Sequence, residues 1–180
     1  MRIVFAAVLA ANLLLAAVSL AVLPDRVAIH FVLGGHPDSW APAWFNALLF
    51  AGMDGLLSVM IWLTPRWAFA FPDRWINLPN KAYWLAPERR PEAQARLARA
   101  MVEFGTALLL FMLVVSALVI KANLSDPVRL DEKPFLGALA LFLVFTVFWL
   151  VRLYRTFRIP ESGASGAVEP GKRETTDEPR

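Results

Sequence analysis

Residues 3–23 read Ile3-Val4-Phe5-Ala6-Ala7-Val8-Leu9-Ala10-Ala11-Asn12-Leu13-Leu14-Leu15-Ala16-Ala17-Val18-Ser19-Leu20-Ala21-Val22-Leu23, an apolar run in which only Asn12 and Ser19 are polar. A helix rises about 1.5 Å per residue, so a hydrocarbon layer of about 30 Å needs roughly 20 such residues. This run is long enough to cross it. The competing reading is a secretory leader, since Arg2 supplies a positive start and Ser19-Leu20-Ala21 a small-x-small site. Leader cores are about 7–15 residues, shorter than this one, so an uncleaved first span is expected.

Three further stretches meet the same requirement, at about 44–63, 104–120 and 135–151. The 180 residues are 58% hydrophobic and 18% charged, against roughly a quarter charged in a soluble domain. A net charge of +3 invites a nucleic-acid reading, but the basic residues flank apolar runs, where they act as topology signals. With no cysteine, disulfides, thiolate metal sites and thiol nucleophiles are excluded together. The expected fold is all-α: a polytopic membrane domain over residues 1–158, with four transmembrane helices in a bundle.

Lys and Arg set the orientation. The first connection holds only Arg26, the second holds Arg66, Arg74, Lys81, Arg89, Arg90, Arg96 and Arg99, and the third holds Lys121, Arg129 and Lys133. Arg152, Arg155 and Arg158 follow the fourth run. Positive charge stays inside, so both termini are expected there. Trp40, Trp44, Trp62, Trp67 and Trp149 fall near span ends and suit the headgroup layer. Residues 159–180, rich in Gly, Ser, Pro and alternating charge, are expected to form a disordered cytoplasmic tail.

Asp54 stands near the centre of the second span, where an acidic side chain costs about 2.5–3.5 kcal/mol to insert. Ala47, Ala51, Asp54, Gly55 and Ser58 share one helical face, whose small residues suit close helix packing. Asn12 and Thr146 lie at similar depth, so an Asp54–Asn12 hydrogen bond is geometrically open. A polar clamp between helices and a proton or cation site are the two readings, and one carboxylate without an acidic partner favours the clamp.

On the outer side, His30, His36 and Asp38 cluster around the Gly34-Gly35 turn, with Asp38 placed to cap a helical turn before Trp40. Histidine and carboxylate suit zinc, but this spacing on an irregular loop is no recognised ligand pattern. No metal or other cofactor is expected, and His30 is read as tying the loop to the bundle. On the inner side, Pro79 and Pro87 interrupt any helix, while Asn77 and Asn80 serve turns. Tyr83, Trp84, Lys81 and Arg89 complete a segment suited to the headgroup layer or to a cytoplasmic partner. From Pro91 a helix runs into the third span, protruding two or three turns, with Glu92–Arg96 and Arg99–Glu103 as i,i+4 ion pairs. Asn123-Leu124-Ser125 is a glycosylation sequon, relevant only in a secretory pathway.

Two segments carry a resemblance. Leu23-Pro24-Asp25-Arg26-Val27-Ala28-Ile29-His30-Phe31, with Gly35, Pro37, Asp38 and Trp40, and Ile76-Asn77-Leu78-Pro79-Asn80-Lys81-Ala82-Tyr83-Trp84-Leu85-Ala86-Pro87-Glu88-Arg89-Arg90, together resemble the bacterial membrane family called domain of unknown function 1648. The likeness covers about residues 1–158, and His30, Gly35 and Asp38 match its recurrent loop pattern. A related segment begins the immunity proteins against a sporulation-delaying peptide toxin. No counterpart of their additional membrane region is found here, so immunity stands as analogy. The resemblance implies the bacterial cytoplasmic membrane and a compact helical bundle, and no activity.

The expected function is that of a non-enzymatic structural, accessory or immunity-like protein. Its partners are the lipid bilayer and a membrane or cytoplasmic protein, not nucleic acid. The alternatives are a small proton-coupled transporter component built on Asp54 and an outer-face metal-dependent enzyme using His30 and His36. The topology is directly testable: reporter fusions at Pro37, Lys81, Asp131 and the C-terminal tail should score outside, inside, outside and inside. An outside signal at Lys81 would overturn it.

Overall fold

The structure, a computed structural model, describes residues 1–159, so the tail expected from residue 160 onward lies outside the described residues. Four helices are long and apolar enough to cross a membrane: α1 (Arg2–Val22), α2 (Ala43–Ala68), α4 (Arg90–Asn123) and α5 (Glu132–Thr156). α2, α4 and α5 each contain an expected span and extend it, while α1 starts one residue before the expected first span and ends one residue short of it. α2 runs on through Pro65, and α4 begins about four turns before Phe104, longer than the two or three expected. The first turn of α4 accommodates Pro91, whose missing N–H would have no intrahelical partner there.

The all-α expectation fails at one place. The first connection is a β-hairpin, β1 (Arg26–Phe31) against β2 (Pro37–Pro42), antiparallel, with Val27 opposite Ala41 and Ala28 opposite Trp40. Asp38 therefore stands in a strand and caps no helical turn. Val27 and Ala28 are fully buried beneath the hairpin. Because Ala43 N–H donates to Asp25 C=O at 3.0 Å, α2 starts beside the end of α1 and returns antiparallel to it. A four-residue helical turn, α3 (Lys81–Trp84), lies between Pro79 and Pro87 in the connection from α2 to α4.

The helices do not contribute equally. α1, α2 and α4 pack against one another, whereas α5 packs chiefly along α4. Only 6% of the apolar window of α5 is buried, against 22–33% in the other three, so most of its surface is left for lipid. The fold is thus a three-helix core with a fourth helix laid on one side. Close approach within the core centres on Gly105 of α4, where a Cβ would come within 2.9 Å of Ile61 and Phe5. At Gly55, on the small-residue face of α2, a Cβ would meet nothing within 4 Å. Trp149 also departs from expectation: it is buried, 4.8 Å from the Phe104 ring, and its Nε1 donates to Ala100 C=O at 3.0 Å.

The hairpin turn is docked on the connection between α4 and α5. Leu130 N–H donates to Gly35 C=O at 2.9 Å, Arg129 Nε donates to Gly34 C=O at 3.0 Å, and Glu132 Oε1 accepts from Gly34 N–H. Gly35 has φ +74°, and a Cβ on it would sit 2.1 Å from Leu130 C=O. Gly35→Ala should therefore destabilise the detergent-purified protein by more than the ~1 kcal/mol of backbone strain alone, seen as a lowered thermal midpoint. Gly52→Ala, whose Cβ meets nothing within 4 Å, should stay at or above wild type.

Candidate functional site

The polar residues of the sequence gather at three levels. At the middle level, the Phe5 and Trp62 rings are in contact with centroids 6.4 Å apart. Moving inward along the two antiparallel helices from that pair brings Asn12 and Asp54 to the same depth. Both are almost wholly buried, at 2% and 1% exposure, so the carboxyl does face the bundle interior. Ala47 and Ser58 of the same face are buried with it. Asn12 spends both amide N–H groups on backbone, donating to Val8 C=O at 2.9 Å and across to Leu109 C=O of α4 at 3.0 Å. The cross-helix bond ties α1 to α4; no direct Asn12–Asp54 bond forms. Asn12 Oδ1, Asp54 Oδ1 and Asn46 Oδ1 are buried acceptors with no donor in the structure. Thr146 of α5 bonds only within its own helix, to Phe142 C=O, and takes no part in this layer.

At the hairpin end, His30 Nδ1 and Asp38 Oδ1 are 2.6 Å apart across the hairpin, with side chains 65% and 43% exposed. His30 thus ties strand to strand rather than loop to bundle. That second task falls to Asn123, read from sequence only as a sequon. Its Oδ1 accepts from Ala28 N–H at 2.6 Å, and its Nδ2 donates to Ala28 C=O at 2.9 Å. The amide thereby substitutes for a strand partner on the buried edge of β1. Among the described residues, no group of three or more His, Asp or Glu side chains is assembled to hold a metal ion.

At the end opposite the hairpin, the segment around α3 folds over the end of α5. A helix end leaves its last carbonyls without donors. Here Phe157 C=O accepts from Asn80 Nδ2 at 2.9 Å and from Trp84 Nε1 at 2.8 Å, while Thr156 C=O accepts from Arg96 at 2.9 Å. The Arg96 cation also complements the negative end of the helix dipole. Asn80 adopts the left-handed conformation (φ 54°, ψ 42°), and its own C=O accepts from Tyr83 and Trp84 N–H to start α3. Arg89 lies 4.0 Å over the Tyr83 ring and Arg96 lies 4.6 Å over Trp84. Lys81 donates to Asp73 C=O at 3.2 Å, and Arg90 pairs with Asp73 at 2.7 Å. Asn77 and Pro79 border a mainly apolar cleft of about 560 Å³, shared with Phe69, Trp75, Leu153 and Tyr154. Of the two ion pairs expected along α4, Glu92–Arg96 forms at 2.6 Å, while Glu103 turns to Arg152 of α5 at 3.1 Å, away from Arg99.

Four residues take positions the sequence did not single out for them: Asn46 is buried, and Asn123, Arg96 and Glu132 bond backbone atoms of distant segments. Asn123 had a legible signal, an amide closing an apolar run beside a connection that needed anchoring. Glu132 and Arg96 had none, since their partners are backbone atoms of distant segments.

The comparisons follow this geometry. Residues 7–53 match the family model described as Domain of unknown function (DUF1648). The matched stretch takes in most of α1, the whole hairpin and the first part of α2, and contains Asn12, His30, Gly35, Asp38 and Asn46. Residues 76–90 lie beyond it, so the family likeness there rests on the sequence resemblance alone. No curated protein and no solved structure matches the chain.

The cap on α5 gives a prediction that separates backbone from side chain at Asn80. Asn80→Gly keeps the left-handed backbone and loses the bond to Phe157; Asn80→Ala loses both. Thermal unfolding in detergent should show Asn80→Ala as the lower of the two, by about 1 kcal/mol. Trp84→Phe should cost a similar amount, through loss of the buried Nε1–H bond to Phe157 C=O, which then keeps only the Asn80 donor.

Proposed function

We propose that this chain is a non-enzymatic protein of the bacterial cytoplasmic membrane, with both termini inside, serving a structural, accessory or immunity-like role. One observation carries the reading: the candidate chemical groups are spent on the protein's own backbone and neighbours. Asn12 holds α4, Asn123 holds the hairpin, His30 and Asp38 hold each other, and Asn80, Trp84 and Arg96 hold the end of α5. A catalytic set needs a nucleophile, a base and an orienting group converging on space for a substrate. The Lys/Arg distribution supports the orientation, and the resemblance supports the bacterial membrane. The bilayer is the first partner, and a further membrane or cytoplasmic protein fits the role better than nucleic acid.

One observation favours the second reading, a proton-coupled transporter component. Asp54 Oδ1 and Asn12 Oδ1 lie at one depth with no donor. In hydrocarbon such acceptors want a proton, a water or a cation. The clamp reading instead makes Asp54 a buried helix-packing group whose carboxyl carries no obligatory charge. Under it, Asp54→Asn supplies the missing donors and should keep expression and thermal midpoint near wild type. Proteoliposomes of either protein, loaded with a pH-sensitive dye, should then dissipate an imposed proton gradient no faster than empty vesicles. A flux present in wild type and lost in a folded Asp54→Asn protein would establish the transporter instead.

A further inference from the structure

α5 touches the core along one seam, and that seam is open at two levels. At the inner end, α4 and α5 enclose about 310 Å³ bordered by Arg96, Arg99, Glu103, Trp149 and Arg152. Glu92 and Glu103 are engaged by Arg96 and Arg152. Arg99 has no carboxylate partner among the described residues; its Nε reaches only Ala95 C=O, at 3.5 Å. Three guanidiniums against two carboxylates leave this space cationic, and Arg155 and Arg158 add to the positive field from the next turns of the chain. Deeper in the membrane, the same two helices border an apolar cleft of about 340 Å³, opened by Ala107 and Ala138 and walled by Val114 and Phe142.

The two spaces lie on one line. Arg96, Glu103, Ala107 and Val114 recur at helical spacing on α4, as do Ala138, Phe142, Trp149 and Arg152 on α5. From Arg99 to Leu110 is about 16 Å along the helix axis. That is the reach from a phospholipid headgroup into the upper part of its acyl chains. We infer that the α4–α5 seam binds one anionic phospholipid, its phosphate at Arg99 and Arg152 and one acyl chain in the Ala107–Ala138 cleft. The proposal rests only on these helices spanning a bilayer. Basic pockets between membrane helices recognise anionic headgroups in this way, as charge at the interface combined with an apolar slot. A bound chain would also cover apolar surface that α5, with so little of it buried, cannot cover against protein.

The test uses the full chain in neutral detergent, titrated with short-chain phosphatidylglycerol, short-chain phosphatidylcholine or inorganic phosphate while the thermal midpoint is followed. Phosphatidylglycerol should raise the midpoint saturably, and neither of the other two should. Arg99→Gln should weaken the apparent affinity about fivefold, the worth of one basic residue at an anionic surface. Ala138→Phe, which fills the cleft, should weaken it too. Lys121→Gln, removing one charge from the other end of α4, should leave it unchanged. A response to phosphate alone would mean an anion site without a lipid, and an equal response to phosphatidylcholine a merely apolar one; either overturns the proposal. So would wild-type affinity in Arg99→Gln. If that variant does not fold, Arg99→Lys decides: affinity within about twofold of wild type sustains the charge argument, and its loss refutes it.

Discussion

A bilayer offers no water to a backbone that lacks a partner, and each orphaned N–H or C=O in hydrocarbon costs several kcal/mol. Helix interiors satisfy this internally. The difficulty falls on the places where helices stop and chains turn back, and those places consume the polar side chains of this protein. Asn123 completes the inner edge of β1 where α4 ends. Arg129 and Glu132 take up the Gly34 peptide. Asn80, Trp84 and Arg96 close the end of α5. Side chains that look like candidates for chemistry in a one-dimensional reading become, in three dimensions, the means by which the backbone is kept paired.

That constraint explains what could be read from the sequence and what could not. The four spans follow from run length and hydropathy, quantities local to each segment, and the structure has a helix over each. The hairpin was missed although it has a local signature: Val27-Ala28-Ile29-His30-Phe31, then Gly34-Gly35, then a second short run ending at Pro42. Length misled here, because a connection between two spans reads as a loop unless its alternation is weighed. The burial of Asp54 was legible from its small-residue face, yet its lack of a partner was not, since that depends on where Asn12 sends its amide. Close approach was misplaced for the same reason. Gly55 and Gly105 look alike in sequence, and only the positions of Phe5 and Ile61 separate them.

The unequal packing of the helices shapes how the polar layer works. With α1, α2 and α4 mutually packed, the Asn12–Leu109 bond is a tie within a closed core, worth about 1 kcal/mol on the scale of measured interhelical bonds. α5 has no such tie at mid-depth, since Thr146 bonds to its own helix. It is held at the ends instead: by the Asp131 cap and Glu132 on one side, and by Trp149, Arg152 and the α3 segment on the other. Between those fixings its contact with α4 is largely aromatic, through Phe104, Phe111 and Phe142. A helix pinned at both ends and loosely packed between them leaves a seam that lipid can enter.

The stretch similar to the family model, residues 7–53, is not self-sufficient in this architecture. It contains the hairpin and its two flanking helices, but the groups that complete it lie elsewhere in the chain. Leu109 supplies the carbonyl for Asn12, Asn123 the partner for Ala28, and Leu130, Arg129 and Glu132 the contacts that hold the Gly34-Gly35 turn. Without α4, the Ala28 peptide on the buried edge of β1 would lose its partner, and Asn12 would lose its cross-helix acceptor. A chain sharing only this segment must therefore find equivalents of those groups, from its own later helices or from another protein. The hairpin unit is best understood as half of an interlock whose other half is α4 and the connection that follows it.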